Sequence, residues 1–195
     1  MNIALAIMIG LALSAACGLR VFVPLLVLSI AATAGALSLA PSLAWIGTPE
    51  AIIAFSVATV AEIVAYKVPW LDHALDTIAS PAAVMAGTIV SASQLGAIHG
   101  VSPLVQWTCA IIAGGGVAAL MQTGSVSTRA ISTLTTAGLA NPFISAGQSL
   151  LAIALSVLAV LVPILAIILV ALMLAAAVAV IFWIAHARQK RTRPG

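Results

Sequence analysis

The residues best placed to do chemistry are the few charged side chains that interrupt an otherwise apolar sequence. The chain has 195 residues, of which 64% are hydrophobic and only 6% are charged. The charges that fall among or beside the long apolar stretches are Arg20, Glu62, Lys67, Asp72, Asp76 and Arg129. A charge at the centre of a bilayer costs about 2.5–3.5 kcal/mol. We therefore expect these residues to pair with one another or to line a polar pathway.

The spacing of the acidic residues suggests two short clusters. Glu62 and Tyr66 lie one helical turn apart, so they share a helix face, and Asp72 and Asp76 do the same with His73 beside them. Grouped carboxylates can bind a cation or carry a proton. The alternative is structural: an ion-pair network around Glu62, and the wet face of an interfacial helix for the two aspartates. Both interpretations stay open at this level.

Motifs for known chemistries are missing from the sequence. No nucleotide-binding glycine loop, GxSxG, HExxH or CxxC is present, so we predict no cofactor and favour a non-enzymatic role. Asp72, His73 and Asp76 could ligate a divalent ion, although their spacing matches no established metal motif. The two cysteines, Cys17 and Cys109, lie in apolar surroundings and are expected to be small buried hydrophobes.

The elements that must position these residues are membrane helices. Apolar runs of about 20 residues, enough to cross a bilayer, recur along the chain. The composition predicts an all-α, polytopic transmembrane helix bundle formed by residues 1–187. A basic tail follows at residues 188–195, and the positive-inside rule places it in the cytoplasm. The basic cluster is too short to indicate nucleic-acid binding.

Several of these helices are predicted to be short or broken. Gly18-Leu19-Arg20 separates the first two apolar stretches, and the glycines at 114–116 predict tight packing, a kink or a break. Pro69–Ala79 predicts a short amphipathic helix that Ser80-Pro81 ends, before the next apolar segment at 82–98. The hydroxyl-rich stretch at 125–136 should face protein or water rather than acyl chains.

Two halves of the sequence look alike. Thr33-Ala34-Gly35 reappears as Thr136-Ala137-Gly138, each time after an arginine and before a proline-marked loop and a long apolar helix. The pattern predicts an internal duplication of residues 1–100 and 101–187. Duplicated halves with interrupted helices are typical of transporters, whose sites lie at the repeat interface.

The motif residues also resemble a bacterial membrane family catalogued as domain of unknown function 4126. The stretch AACGLRVFVPLL at 15–26 is similar to the opening of that family. The similarity continues through its central motif (Glu62, Lys67, Pro69, Asp72, Asp76) and its second-half motif (residues 127–138, Asn141-Pro142 and Ser145). It covers nearly the whole chain and implies the family's fold and polar core and a location in the bacterial inner membrane, but no established substrate.

This chain departs from the family pattern at two places. Tyr66 stands where the family usually has aspartate, and Gly147-Gln148 stands where an acidic pair often occurs. Fewer carboxylates weaken the case for a metal site.

The leading hypothesis is a transporter or channel-like protein for a small ion or anionic solute, with its site between the two halves. The candidate binding residues are Arg20, Glu62, Tyr66, Lys67, Asp72, Asp76, Arg129 and Asn141. One alternative is a structural or assembly membrane protein that transports nothing. Another is a lipid flippase or lipid-modifying enzyme. The expected partners are the lipid bilayer, the solute and a second copy of the chain.

Overall fold

The computed structural model describes residues 2–66 and 69–176, and within residues 69–75 it describes the backbone only. This part of the chain is helical throughout, as the composition predicts. The helices in chain order are α1 (Ile3–Cys17), α2 (Phe22–Thr33), a 3-10 helix (Pro41–Gly47), α3 (Pro49–Ala65), α4 (Pro69–Leu95), α5 (Pro103–Cys109), a π-helical segment (Ala110–Gly115), α6 (Gly116–Thr136), α7 (Asn141–Leu161) and α8 (Pro163–Ala176).

Within the described residues, three continuous helical stretches are long and apolar enough to cross a membrane. They are Asp76–Leu95, Pro103–Thr136 and Asn141–Leu161. The 3-10 helix and α3 meet at 65° and together would make a fourth, bent span. These lengths and compositions identify an integral membrane protein built as a helical bundle. The basic tail lies outside the described residues, so its cytoplasmic placement stays a prediction.

The core of the bundle surrounds α1. Every residue of α1 from Leu13 to Cys17 is fully buried, and the helix packs against α4, α6 and α7. A helix that is apolar on all sides is expected in such a central position. In contrast, α3 exposes an apolar stripe of Ile53, Val57, Val60 and Val64. That stripe suits contact with lipid, because a water-facing helix would carry polar side chains there.

Small residues allow α1, α4 and the π-helical segment to approach closely. The Ser14 hydroxyl donates to the Gly87 carbonyl at 2.7 Å and lies 3.0 Å from the Ser91 hydroxyl. A Cβ added to Gly87 would lie only 2.9 Å from the Gly114 carbonyl oxygen. We call Ser14, Gly87, Ser91 and Gly114 the small-residue seam. Gly114 and Gly115 thus serve tight packing, whereas nothing among the described residues lies within 4 Å of a Cβ added to Gly116, and the helix continues through all three glycines.

The prediction that Ser80-Pro81 ends a short helix is wrong. The chain forms one helix from Pro69 to Leu95, with Pro81 inside it. Proline cannot donate to the carbonyl four residues earlier, and this usually kinks or breaks a helix. Here the Ser80 hydroxyl donates to the Asp76 carbonyl at 2.8 Å, and contacts with α1 and the π-helical segment hold the helix in place. Membrane helices tolerate proline when their neighbours supply such contacts.

The hydroxyl-rich stretch at 125–136 faces the protein only in part. Ser125, Arg129 and Ser132 are buried, whereas Ser127, Thr128, Thr135 and Thr136 are exposed on the outer side of α6. The expectation that the stretch faces protein or water is met by the buried side chains, and it stays a prediction for the exposed ones. Thr128 and Thr135 donate their hydroxyl protons to carbonyls four residues earlier, at 2.8 and 2.9 Å. Such bonds satisfy a hydroxyl within its own helix, so it needs no outside partner.

The predicted break at 18–20 does separate α1 from α2. A Cβ on Gly18 would lie 2.5 Å from the Ala118 carbonyl oxygen, so only glycine allows α1 to end so close to α6. Cys17 is buried as expected, but Cys109 is exposed because α5 lies at the periphery and buries only Gln106.

The two repeated triplets sit at equivalent helix ends. α2 ends at Thr33 and α6 at Thr136, and the glycines that follow have positive φ angles of 73° at Gly35 and 83° at Gly138. Glycine commonly ends a helix in this left-handed conformation. Any sequence can use that signal, so the duplication itself stays a prediction.

Candidate functional site

Five ionisable side chains from separate elements meet inside the bundle. Arg20 lies between α1 and α2, Glu62 near the end of α3, and Tyr66 directly after α3, while Asp76 is on α4 and Arg129 on α6. We call these five residues the polar centre. It forms where α1 and α3 end and α2 begins, so helix ends bring the charges together.

Tyr66 connects the two arginines. Its side chain is only 4% exposed. The Arg20 Cζ lies 4.2 Å from the centroid of the Tyr66 ring, and the Arg129 Cζ lies 4.7 Å from it. The ring thus offers its π-electrons to two guanidinium groups, an attraction that strengthens away from water. The Tyr66 hydroxyl donates to Asp76 Oδ1 at 3.2 Å, which links the ring to the acidic side of the centre.

Arg129 and Asp76 form a two-pronged ion pair. Arg129 Nε donates to Asp76 Oδ2 at 3.3 Å, and Arg129 Nη2 donates to Asp76 Oδ1. The remaining terminal nitrogen, Nη1, donates to Gln148 Oε1 at 2.5 Å. The Arg129 side chain is 2% exposed and that of Asp76 is 15% exposed. A planar guanidinium suits this geometry because it presents several donors in a fixed fork.

Arg20 is held mainly by α7. Its side chain is 1% exposed. Arg20 Nε donates to the Ser149 hydroxyl at 2.8 Å, and Nη2 donates to the Ser145 carbonyl at 2.8 Å and to the Ser145 hydroxyl. These contacts orient the guanidinium group toward Tyr66.

Glu62 caps a helix that is distant in sequence. Its carboxylate accepts hydrogen bonds from the backbone N–H groups of Val21 at 2.8 Å and Phe22 at 3.1 Å. Those groups belong to the first turn of α2, which has no side-chain cap of its own. A negative charge at a helix N-terminus satisfies free N–H groups and interacts favourably with the helix dipole. The start of α2 is therefore an anion site that Glu62 occupies.

Two cavities adjoin the polar centre. The first, the α3 cavity, has a volume of about 420 Å³ and lies between α2, α3 and α4 with Glu62 and Tyr66 in its wall. The second, the α6 cavity, has a volume of about 280 Å³ and is lined in part by Ser125 and Gln148. Gln148 also binds Arg129. The two cavities are thus joined by a chain of contacts from Tyr66 through Arg129 to Gln148.

The other predicted site residues fall elsewhere. Asn141 begins α7, and its side-chain amide donates to the Thr133 hydroxyl at 2.9 Å, so it ties α7 to α6. Lys67 and the side chains of Asp72 and His73 lie outside the described part of the chain. Within the described part, no three His, Cys, Asp or Glu side chains are grouped as metal ligands. The Asp76 carboxylate is instead paired with Arg129. The binding roles of the candidate site residues remain predictions.

From the sequence, Ser145 and Gln148 stood out only in relation to the family motif, and the role of these two residues and Ser149 in holding the arginines was missed. The sequence does contain a pattern that could have indicated this face of α7. The buried face of α7 carries small residues at helical spacing: Ser145, Ser149, Ala152, Ser156 and Ala159. Such a stripe on a strongly apolar helix faces other helices, because small side chains let backbones approach. The capping of α2 by Glu62 was also missed, since the two lie far apart in sequence.

Comparison with known proteins gives a family but no activity. Neither a curated protein nor a solved structure matches the chain. A family model does match it, over residues 7–183, which include the whole polar centre. The resemblance drawn from the sequence motifs is thereby confirmed. The chain belongs to the family described as Domain of unknown function (DUF4126).

Proposed function

We propose that this protein moves a small anionic solute or ion across the membrane through the polar centre. The observation that carries the proposal is the contact chain between the two cavities. Tyr66 lines the α3 cavity and lies against Arg129, and Arg129 binds Gln148, which lines the α6 cavity. Polar side chains in contact between two cavities of an apolar bundle could guide a solute from one cavity to the other.

The cost of burying charged side chains also favours a functional role for the polar centre over a purely structural one. Buried ion pairs often contribute less to stability than well-packed apolar side chains of the same volume, because desolvating the charges is costly. The pair of Arg129 with Asp76, and the placement of Arg20 beside Tyr66, therefore give little stability that apolar side chains could not give as well. Intramembrane charges of this kind usually mark ion or proton pathways.

Glu62 would couple the anion to a proton. The ionised carboxylate occupies the backbone N–H groups of Val21 and Phe22. A protonated carboxyl is a poorer acceptor, so a proton on Glu62 would free this helix N-terminus for another anion. Arg20, Arg129 and the Tyr66 hydroxyl would then face the solute with donors.

The test is flux in liposomes that contain the purified protein. Acetate, chloride and nitrate are supplied in turn as the probe anion, and a pH-sensitive dye inside the vesicles reports proton movement. We expect anion-dependent proton flux with the wild type. We expect Glu62→Gln to reduce it at least about tenfold, equivalent to about 1.4 kcal/mol in the barrier. Glu50→Gln is the matched control, because Glu50 is exposed in the first turn of α3.

Two outcomes would reject the proposal. One is a folded wild-type protein that leaves the flux of all three anions at the level of protein-free vesicles. The other is a Glu62→Gln variant that matches the wild type in both flux and folding.

One observation favours a second candidate, a structural or assembly role without transport. Arg129 is engaged by Asp76 through two nitrogens and by Gln148 through the third, as in an ion pair that fixes helix positions. In that case, exchanging the two charges should restore everything that the pair does. A membrane partner that co-purifies in fixed ratio would also support this role.

A further inference from the structure

We infer that the α6 cavity is a binding site for a small anion, and that Gln148 is the residue that separates this site from Arg129. The inference rests on the proposed function, because the α6 cavity would bind the transported solute next to the polar centre. It concerns residues outside the polar centre itself.

The α6 cavity has a small group of polar side chains within apolar walls. Its walls come from the α1–α2 connection, α6, α7 and α8, and they include Leu19, Met121, Leu151 and Met173. Ser125, Thr128 and Gln148 are its polar lining. Its volume of about 280 Å³ is near the lower end of the range of about 300–1,000 Å³ for ligand pockets. The site therefore suits a solute of few atoms.

The Ser125 hydroxyl is the strongest sign of a ligand. Ser125 is 4% exposed and lines the cavity. Among the residues that the structure describes, its Oγ has no hydrogen-bond partner. Other hydroxyls on α6 donate to carbonyls of their own helix, as Thr128 does to Gly124 at 2.8 Å. Buried polar atoms are almost always paired, so an unpaired hydroxyl in a cavity wall points to a partner inside the cavity.

Gln148 adds donor capacity and leads to Arg129. Its Oε1 accepts from Arg129 Nη1, which fixes the amide so that Nε2 is a donor on the other side. Among the described residues, that Nε2 makes only a long contact of 3.4 Å, to the Ser125 carbonyl. A bond of this length is weak, so the amide can turn to a better acceptor. A solute that takes this donor would also loosen the contact that holds Arg129.

The chemistry of the lining selects an acceptor. The cavity presents the Ser125 hydroxyl and the Gln148 amide, and its described lining includes no acidic side chain. The Arg129 guanidinium group, which is paired with Asp76, contacts the Gln148 amide through Nη1. Donors near a positive charge favour an anion, and apolar walls favour one that gives up water easily. A short-chain carboxylate or a small monovalent inorganic anion meets both conditions.

Cysteine labelling tests the site without requiring transport. The full-length protein carries Cys109→Ser together with Ser125→Cys, and it is exposed to anionic sulfonatoethyl or cationic trimethylammonioethyl methanethiosulfonate. Peptide mass spectrometry locates the label. The matched control is Ser156→Cys, because Ser156 is fully buried on α7 and bonds only the Ala152 carbonyl among the described residues.

We expect the anionic reagent to label Ser125→Cys at least about tenfold faster than Ser156→Cys and faster than the cationic reagent does, since a focused positive potential raises anion encounter rates by about 10–1,000-fold. Excess acetate should slow the labelling. If Ser125→Cys does not fold, Gly124→Cys replaces it, because Gly124 lines the same cavity, is only partly exposed, and has nothing within 4 Å of an added Cβ among the described residues.

The inference is overturned if the folded variant is labelled no faster than the control, or faster by the cation. Labelling that acetate slows, in a protein without flux, would support the anion site and reject only the proposed function. Flux without such labelling would reject only the anion site.

Discussion

The small-residue seam and the polar centre hold helices together in opposite ways. At the seam, neutral groups meet at short range: the Ser14 hydroxyl reaches the Gly87 carbonyl at 2.7 Å, and α1, α4 and the π-helical segment pack tightly. At the polar centre, charged groups from several elements converge on Tyr66. The residues of the seam are small and neutral, so they pack closely and need no oppositely charged partner. The polar centre needs a partner for every charge.

This difference separates packing from function. Small residues and interhelical hydrogen bonds are the usual means of joining membrane helices, because lipid leaves no hydrophobic driving force between them. The seam joins α1, α4 and the π-helical segment in this way. Charges are a costly means of doing the same, so we attribute the polar centre to solute handling. The predictions below test this contrast, from the largest expected loss of stability to the smallest.

The largest loss should follow when one member of the buried ion pair is removed. Arg129→Gln leaves the Asp76 carboxylate without its two-pronged partner. Removing one partner of a buried pair typically costs about 3–5 kcal/mol, and the partial exposure of Asp76 favours the lower value. The free energy of unfolding in detergent micelles, from reversible denaturation, measures this.

The control for that change is Glu50→Gln, which removes an exposed charge and should alter stability by less than about 1 kcal/mol. If Arg129→Gln lowers the free energy of unfolding by no more than this control does, the buried ion pair adds no stability of its own and our account of the polar centre is wrong.

A smaller loss is expected when the seam is overpacked. In Gly87→Ala the new methyl group would lie 2.6 Å from the Ala118 Cβ and 2.9 Å from the Gly114 carbonyl oxygen. Overpacking of this kind typically costs about 1–3 kcal/mol. The same unfolding measurement applies, and anion flux should be kept in any folded protein.

Gly116→Ala serves as the matched control for the seam. Among the described residues, nothing lies within 4 Å of a Cβ added there. Alanine is better than glycine in a helix by about 1 kcal/mol, so this variant should be neutral or slightly more stable. Equal losses in the two variants would contradict the close approach at Gly87.

The sequence predicts the broad architecture well. The low charge and recurring apolar runs identify a membrane helix bundle, and the motifs identify the family. The break at Gly18 also follows from local residues. These features depend on composition or on neighbours in the chain, which a single sequence displays directly.

The parts that the sequence could not give depend on contacts between distant residues. Pro81 predicted a helix end, but packing against α1 and the π-helical segment keeps α4 continuous. Glu62 caps α2 from a position about forty residues away, and no local pattern at Val21 and Phe22 indicates a cap. Ser145 and Ser149 resemble ordinary small residues of an apolar helix until Arg20 is placed beside them.

The most direct test of the central claim is acetate flux through the exchanged double variant Asp76→Arg, Arg129→Asp. The exchange keeps an ion pair between α4 and α6. However, it removes the guanidinium group from position 129, where it contacts both the Tyr66 ring and Gln148. We predict that stability recovers in part relative to the single variants, while acetate-dependent proton flux stays at the level of protein-free vesicles. Recovery of flux together with stability would contradict the account and leave the polar centre with a structural role only.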